Sequence, residues 1–314
     1  MQGQGSRVEE DTVKLSTRMA AISLVGLLVA ACGGDGASNA PTQAAGTTLA
    51  TQPAPTPDAT PVSIAPPTDL ITAGTLTDCV DIEYPPMEFF PPNVTEPNEA
   101  IGFDVDAARA VAATLNLEID IRNTGFTALI PDLQAGRCDI VWSALYVSDT
   151  RLEVADAVPY MATGHVVMVP TGNPKGIGQE TDLCGKTISI QGGGVVQERA
   201  EQVSAACETA GSDPIDIRAF QQVSEEFAQI VNGRVDAVWE TDTAVLNFRF
   251  NNPDQYEVAF EFPRDSNYGV YYGKGKTDVG EALTAAIAAL KDDGTLAALV
   301  TQYNMDPAIL EIIE

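Results

Sequence analysis

One histidine, His165, occurs in 314 residues. A single imidazole excludes a centre built on several histidine ligands, and it argues against a Ser–His catalytic pair. His165 lies in an alternating apolar run and reads as structural. Basic residues are also scarce, 17 against 44 acidic ones, for a formal charge of -27. Phosphate recognition needs clustered Lys and Arg, so nucleic acid is excluded as a partner. Docking on anionic lipid through surface charge is disfavoured for the same reason. Tryptophan is rarer still, with only Trp142 and Trp239. The apolar run from Met19 to Ala31 is too short to span a bilayer. Cysteine is limited to five, and no pair has the close spacing of a metal site. No metal and no cofactor are expected.

What is present begins with the run ending Val29-Ala30-Ala31-Cys32-Gly33. With Lys14 and Arg18 ahead of it, this has the length of a signal-peptide core. It is similar to a lipobox, in which cleavage precedes a cysteine that is then lipidated. Residues 1–31 are expected to be a signal peptide and Cys32 a lipid anchor. Glu9, Glu10 and Asp11 place negative charge where such signals are positive, which suggests a start near Val13. Gly33 to about Pro67 is rich in Ala, Thr, Pro, Gly and Gln. It cannot bury enough apolar surface to fold. Residues 32–69 are therefore read as an anchored tether, with a reach of about 35 Å if loose.

Cys138 to Arg151 organises the remainder. Ile140 to Trp142 is a short buried-strand run. It empties into a small, polar turn ending in Arg151. A guanidinium fork there suits a carboxylate. Part of the stretch recurs. Leu133 to Trp142 and Ile230 to Trp239 carry Gly, Arg, Asp and Trp at identical spacing. In each, a periodic helix ends at the glycine, which suits a left-handed cap, and a β-rich run follows. Two similar α/β lobes are expected, with ligand contacts beyond the carboxyl ends of strands.

In order, Leu76 to Ile82 reads as a strand leading to the Tyr84-Pro85-Pro86 turn. Asp104 is expected to cap a helix running to about Leu115. Leu117 to Arg122 is a strand, and Phe126 to Gly136 a helix. The alternation predicts a parallel-rich sheet of order 2-1-3. His165 to Val169 reads as a crossing strand. Thr187 to Gln191 is a strand followed by Gly192-Gly193-Gly194 and a helix, an arrangement that attracts anions. It lacks the lysine and spacing of a nucleotide loop. Ile215 to Ala219, helix 224–232 and strand 235–239 complete the second lobe. Tyr268 to Tyr272 returns to the first. Lobe 1 is thus expected at 70–163 and 267–314, and lobe 2 at 164–266. Four cysteines remain beyond Cys32, and in an exported protein they suggest two disulfides. Of three possible pairings, Cys79–Cys138 and Cys184–Cys207 are favoured because each stays within one lobe.

These residues together resemble the extracellular solute-binding proteins of polar amino-acid ABC transporters (family 3). The likeness covers about Gly74 to Asn304. It rests on Tyr84-Pro85-Pro86-Met87-Glu88-Phe89, Gly102-Phe103-Asp104-Val105-Asp106, Phe126 with Leu129-Ile130-Pro131, Ser143 through Arg151, Gly185-Lys186-Thr187 with Gln191-Gly192, and Lys291-Asp292-Asp293-Gly294-Thr295. The resemblance implies a type II periplasmic-binding fold that closes on one amino acid, a monomer serving an ABC permease outside the cytoplasm. It implies that Arg151 grips the α-carboxylate, helped by Ser143 and the backbone of Ala144 and Tyr146. Tyr84 and Phe126 would sandwich the ligand. The Gly193–Gly194 backbone would donate from lobe 2, and an acid would take the ammonium. Tyr146 stands where the family has Thr, and Gly193 and Gly194 where it has Thr and Ser. Strict counting puts Thr241 at the ammonium position; Asp242 is the expected acid and Glu240 its alternative. Asp81, Glu83 and Glu240 hint at a cationic side chain. The same fold also hosts dehydratases of the cyclohexadienyl type and sensor modules. An enzyme would need an activated acid among Glu83, Glu88 and Glu240, and nothing in the sequence marks one. The protein is therefore expected not to be an enzyme.

Overall fold

The computed structural model describes residues 64–314. The expected signal peptide and Cys32 lie outside the described residues. In chain order the elements are β1 (Thr75–Val80), α1 (Phe103–Thr114), β2 (Glu118–Asn123), α2 (Leu129–Gln134), β3 (Ile140–Val141), α3 (Asp149–Leu152) and β4 (Ala155–Thr163). Next come β5 (His165–Pro170), β6 (Thr187–Gln191), α4 (Val195–Thr209), β7 (Asp216–Phe220), α5 (Val223–Val231), β8 (Ala237–Thr241), α6 (Asp242–Asn251) and β9 (Tyr256–Glu261). β10 (Ser266–Gly273), α7 (Thr277–Asp292) and α8 (Thr295–Gln302) follow.

Two five-stranded sheets result, ordered β2-β1-β3-β10-β4 and β7-β6-β8-β5-β9. In each, the first three strands are parallel and the fourth runs antiparallel to both of its neighbours. The parallel trio is the expected 2-1-3 arrangement. The antiparallel strand arises because the chain crosses between lobes twice.

The internal repeat is a structural one. Gly136 and Gly233 both adopt positive φ, +67° and +63°, as helix caps. Beyond each cap, an aspartate fastens the new strand to its parallel neighbour in the sheet. Asp139 accepts from the Thr77 N–H at 3.0 Å, and Asp236 accepts from the Thr187 N–H at 3.0 Å. Arg122 and Arg218 each donate to the carbonyl of the arginine behind the cap, at 2.6 and 2.9 Å. Trp142 and Trp239 are fully buried, one in each lobe's core.

Both expected disulfides are present, Cys79–Cys138 and Cys184–Cys207, with Cα separations of 5.7 and 5.6 Å. Two elements differ from expectation. Asp104 does not cap α1; Gly102 does, and Asp104 is buried inside the first turn. The end of the expected tether is fastened to the body. Ile64 packs on the core, and the N–H groups of Thr68 and Asp69 donate to Asp278 at 2.9 and 3.1 Å.

The crossings are Gly164, between β4 and β5, and residues 262–265, between β9 and β10. Asp242 ties them together. Its carboxylate accepts from Arg264 at 2.7 Å, and its N–H donates to the Gly164 carbonyl at 3.0 Å.

Candidate functional site

The strand ends of the two sheets face one another across a gap. Its lobe 1 wall is Asp81, Tyr84 and Glu88 after β1, Phe126 before α2, and Ser143, Ala144, Tyr146 and Arg151 after β3. Its lobe 2 wall is Gln191, Gly194, Val195 and Val196 around the start of α4, with Glu240 and Thr241 at the end of β8.

The lobes are shut on each other. The Tyr84 hydroxyl donates to Glu240 Oε1 at 2.7 Å and lies 2.6 Å from Thr241 Oγ1. The Val223 N–H donates to Glu83 at 3.2 Å, and the Gln191 amide reaches Asp81 at 3.5 Å. Gly193 and Gly194 allow this approach. A Cβ on Gly194 would stand 3.3 Å from the Phe126 ring, and one on Gly193 2.8 Å from Thr127.

Arg151 is the cation of the gap wall. Its guanidinium sits 5.8 Å from the Phe126 ring centroid and donates to the Tyr146 carbonyl at 2.9 Å. Among the described residues no carboxylate lies within salt-bridge distance of it, and burial pulls its pKa down. A charge held half-buried, stacked and without a counter-ion is an anion receptor.

Buried carboxyls accumulate around the same gap, with Glu240 on the facing wall. Glu88 and Glu240 are nearly inaccessible, and Oε2 of each has no hydrogen-bond partner among the described residues. Burial raises both pKa values; for Glu88 the neighbouring Asp104 charge adds to it. Asp81 is pushed up to about 7 by burial. Asp104 also reaches about 7, through burial offset by donors from Tyr160 and the Ala144 N–H. Glu83 rises to about 8 by burial and the nearby Asp81. A carboxyl raised in the folded state stabilises the fold fully below its ordinary value near 4, and that contribution is lost as pH rises through the raised value. The ligand-free protein should therefore melt at a lower temperature at pH 8 than at pH 4.5, with the fall concentrated between about pH 4 and pH 8. Melting curves that are flat or rise across that window would contradict the burial of these acids.

Several expected contacts are spent elsewhere. The Ala144 N–H, at a left-handed φ of +43°, donates to Asp104 at 2.6 Å rather than into the gap. The Ser143 hydroxyl donates to Glu88 at 2.7 Å and accepts from the Asp81 N–H. The Tyr146 hydroxyl donates to Gly164 at the crossing, with its ring edge-on to His165 and Tyr268. The Gly193 N–H donates to Gln197 at 2.8 Å, and Gly193 does not line the gap. Asp242, the expected ammonium acid, faces Arg264 and Thr163 and is absent from the wall; Glu240 is on it. The reason is local. Thr241 caps α6 by accepting from the Ala244 N–H, so the chain turns before Asp242 reaches the gap. Gln191, part of the Gln191-Gly192 motif but given no role in the sequence reading, also lines the gap. That reading also gave no binding role to Glu88, although that residue sits in the Pro-Pro-Met-Glu-Phe turn.

Among the described residues no group of three or more His, Cys, Asp and Glu is arranged for a metal, and no helix is long and apolar enough to cross a membrane.

Residues 76–306 match the pattern of the bacterial extracellular solute-binding proteins, family 3. The chain is 30% identical over 230 residues to the ABC transporter arginine-binding protein 1 of Escherichia coli (strain K12), covering 71% of this chain and 88% of that protein. It is 28% identical over 231 residues to the L-cystine-binding protein TcyJ of the same strain, covering 73% and 82%. Among solved structures, an ancestral arginine-binding protein bound to arginine superposes with a TM-score of 0.67 at 28% identity, covering 73% of this chain and 98% of that one.

Proposed function

The chain belongs to the bacterial extracellular solute-binding proteins, family 3, and from that premise we propose that it captures one amino acid between its lobes for delivery to an ABC importer. The observation that carries this is the pairing of opposites across the gap. Among the described residues Arg151 has no counter-ion and Glu240 has a buried, unpartnered oxygen. A zwitterion answers both at once, its carboxylate on the guanidinium and its ammonium on Glu240. Demanding both charges is what separates an amino acid from other metabolites. Asp81 and Glu88 add negative potential for a ligand with a cationic side chain, in keeping with the arginine-binding relatives. Phe126 supplies a flat apolar wall, and Tyr84 latches the lobes by bonding Glu240 and Thr241.

The rest of the reading follows the sequence. Residues 1–31 act as a signal peptide, Cys32 carries the lipid, and the following tether holds the two lobes, as a monomer, off the outer face of the membrane. Lobe 1 comprises 70–163 and 267–314, lobe 2 164–266. The protein binds and releases its ligand unchanged.

A thermal-shift screen of the proteinogenic L-amino acids with L-ornithine and L-cystine tests this. A basic amino acid is expected to raise the melting temperature most, with a Kd in the micromolar range or tighter by calorimetry. A screen in which no amino acid shifts the transition, with none co-purifying by mass spectrometry, would overturn it.

A further inference from the structure

This inference rests on that reading and concerns the acid behind Glu240. α5 presents Val223, Phe227 and Ile230 to the lobe 2 core, and Glu226 occupies a place in that apolar stripe, fully buried. Both of its carboxyl oxygens lack a partner among the described residues, as does Glu240 Oε2. α5 packs against β8, which carries Glu240, and each of the two buried carboxyls acts on the other's protonation. Two carboxylates so placed would only repel, whereas a proton between them makes a hydrogen bond. The surrounding groups give no other remedy. Glu226 faces Glu240 and, from lobe 1, Glu83. Glu240 faces Tyr84, Tyr146 and Glu226, with the backbone N–H groups of Thr241 and Gln191. All are acidic or neutral.

We propose that Glu226 and Glu240 form a neutral, proton-sharing pair at the ammonium end of the gap, and that seating a ligand cation on Glu240 expels one proton to solvent. In the ligand-free protein Glu240 donates its proton toward Glu226. When the ammonium arrives, Glu240 gives up that proton and accepts from the ligand. The proton of Glu226, which stays, then turns toward Glu240. One positive charge enters, one negative charge forms and one proton leaves, so the buried site gains no net charge. Glu240 is the member that ionises, because Oε1 already accepts from Tyr84 and Thr241 while the Glu226 carboxyl accepts from nothing among the described residues. Burial raises both carboxyls. Glu226 is thus a positioning residue acting through Glu240, and it makes capture weaker in acid.

The test is calorimetric titration of the full chain with L-arginine at pH 7, in phosphate and in Tris, whose heats of ionisation differ. About one proton should be released per ligand bound, and affinity should rise by up to tenfold per pH unit between pH 5.5 and 7.5. Glu226→Gln supplies a permanent N–H donor to Glu240. It should cut the proton release at pH 7 and move the affinity profile to lower pH, with Kd at pH 8.5 within about threefold of the parent. A merely structural Glu226 would leave the proton count untouched. L-Arginine binding with no proton release and no pH dependence in the parent would overturn the inference and leave amino-acid capture standing. Should neither L-arginine nor L-glutamine nor L-cystine bind at any pH, the capture reading falls and this falls with it. If Glu226→Gln does not fold, the parent's proton count decides alone.

Discussion

Arg151→Ala should weaken amino-acid binding by about 3–5 kcal/mol, several hundred-fold or more, because a buried ligand carboxylate is left without its partner. The protein should fold normally. Arg151 donates to the Tyr146 carbonyl, and that carbonyl also accepts from the Tyr271 hydroxyl at 2.6 Å, so it keeps a partner when Arg151 is removed. Arg151→Lys should recover only part of the loss. A lysine keeps the charge but forfeits both the bidentate fork and the planar stacking over Phe126. Calorimetry on the three proteins measures this, and a loss below tenfold for the alanine variant would remove Arg151 from the carboxylate site.

Gly102→Ala should cost more than about 3 kcal/mol of stability, a fall of roughly 6–12 °C in Tm for a body of this size. Gly102 has φ +132°, a region closed to side chains. A Cβ there would overlap the Met87 carbonyl oxygen and stand 2.5 Å from its carbon and 2.8 Å from Glu88 Cα. These are backbone atoms and cannot swing aside. The clash falls where α1 is stitched to the turn after β1. The N–H groups of Phe103 and Asp104 donate to the carbonyls of Pro86 and Met87 at 3.1 and 2.9 Å, and the Gly102 N–H donates to the Tyr303 hydroxyl at 2.9 Å. Because that turn supplies Tyr84 and Glu88 to the gap, binding should weaken along with stability. Gly125→Ala is the control. Gly125 has φ -61°, and a Cβ there meets nothing within 4 Å. A Tm loss under 2 °C for Gly102→Ala would refute the packing argument.

The sequence was most readable where local rules and tertiary structure agree. The repeated Gly-Arg-x-Asp pattern marks β3 and β8 because the glycine cap and the strand-fastening aspartate both act within a few residues of the strand. α6 was not legible. Its apolar residues Val245, Leu246, Phe248 and Phe250 surround the helix rather than line one face, and Leu246 and Phe250 remain exposed. In the gap, the wall residues Asp81, Tyr84, Phe126, Arg151 and Glu240 could be named from motif order. How each spends its donors could not. Ser143, the Ala144 N–H and the Gly193 N–H are taken up by Glu88, Asp104 and Gln197, partners that meet them only after folding. Glu226 did leave a trace, as a charged residue in the apolar stripe of α5.

The placement of β10 also dictates an order of assembly. It lies between β3 and β4 and carries the backbone hydrogen bonds that join them, yet it is made from residues 266–273. The β5–β9 sheet, by contrast, is drawn from the uninterrupted stretch 165–261. A chain synthesised from its N-terminus can therefore finish the inserted sheet first, while β3 and β4 wait as open edges for a strand more than a hundred residues downstream. Until then that unfinished half is the part of the molecule most exposed to pairing with a neighbouring copy.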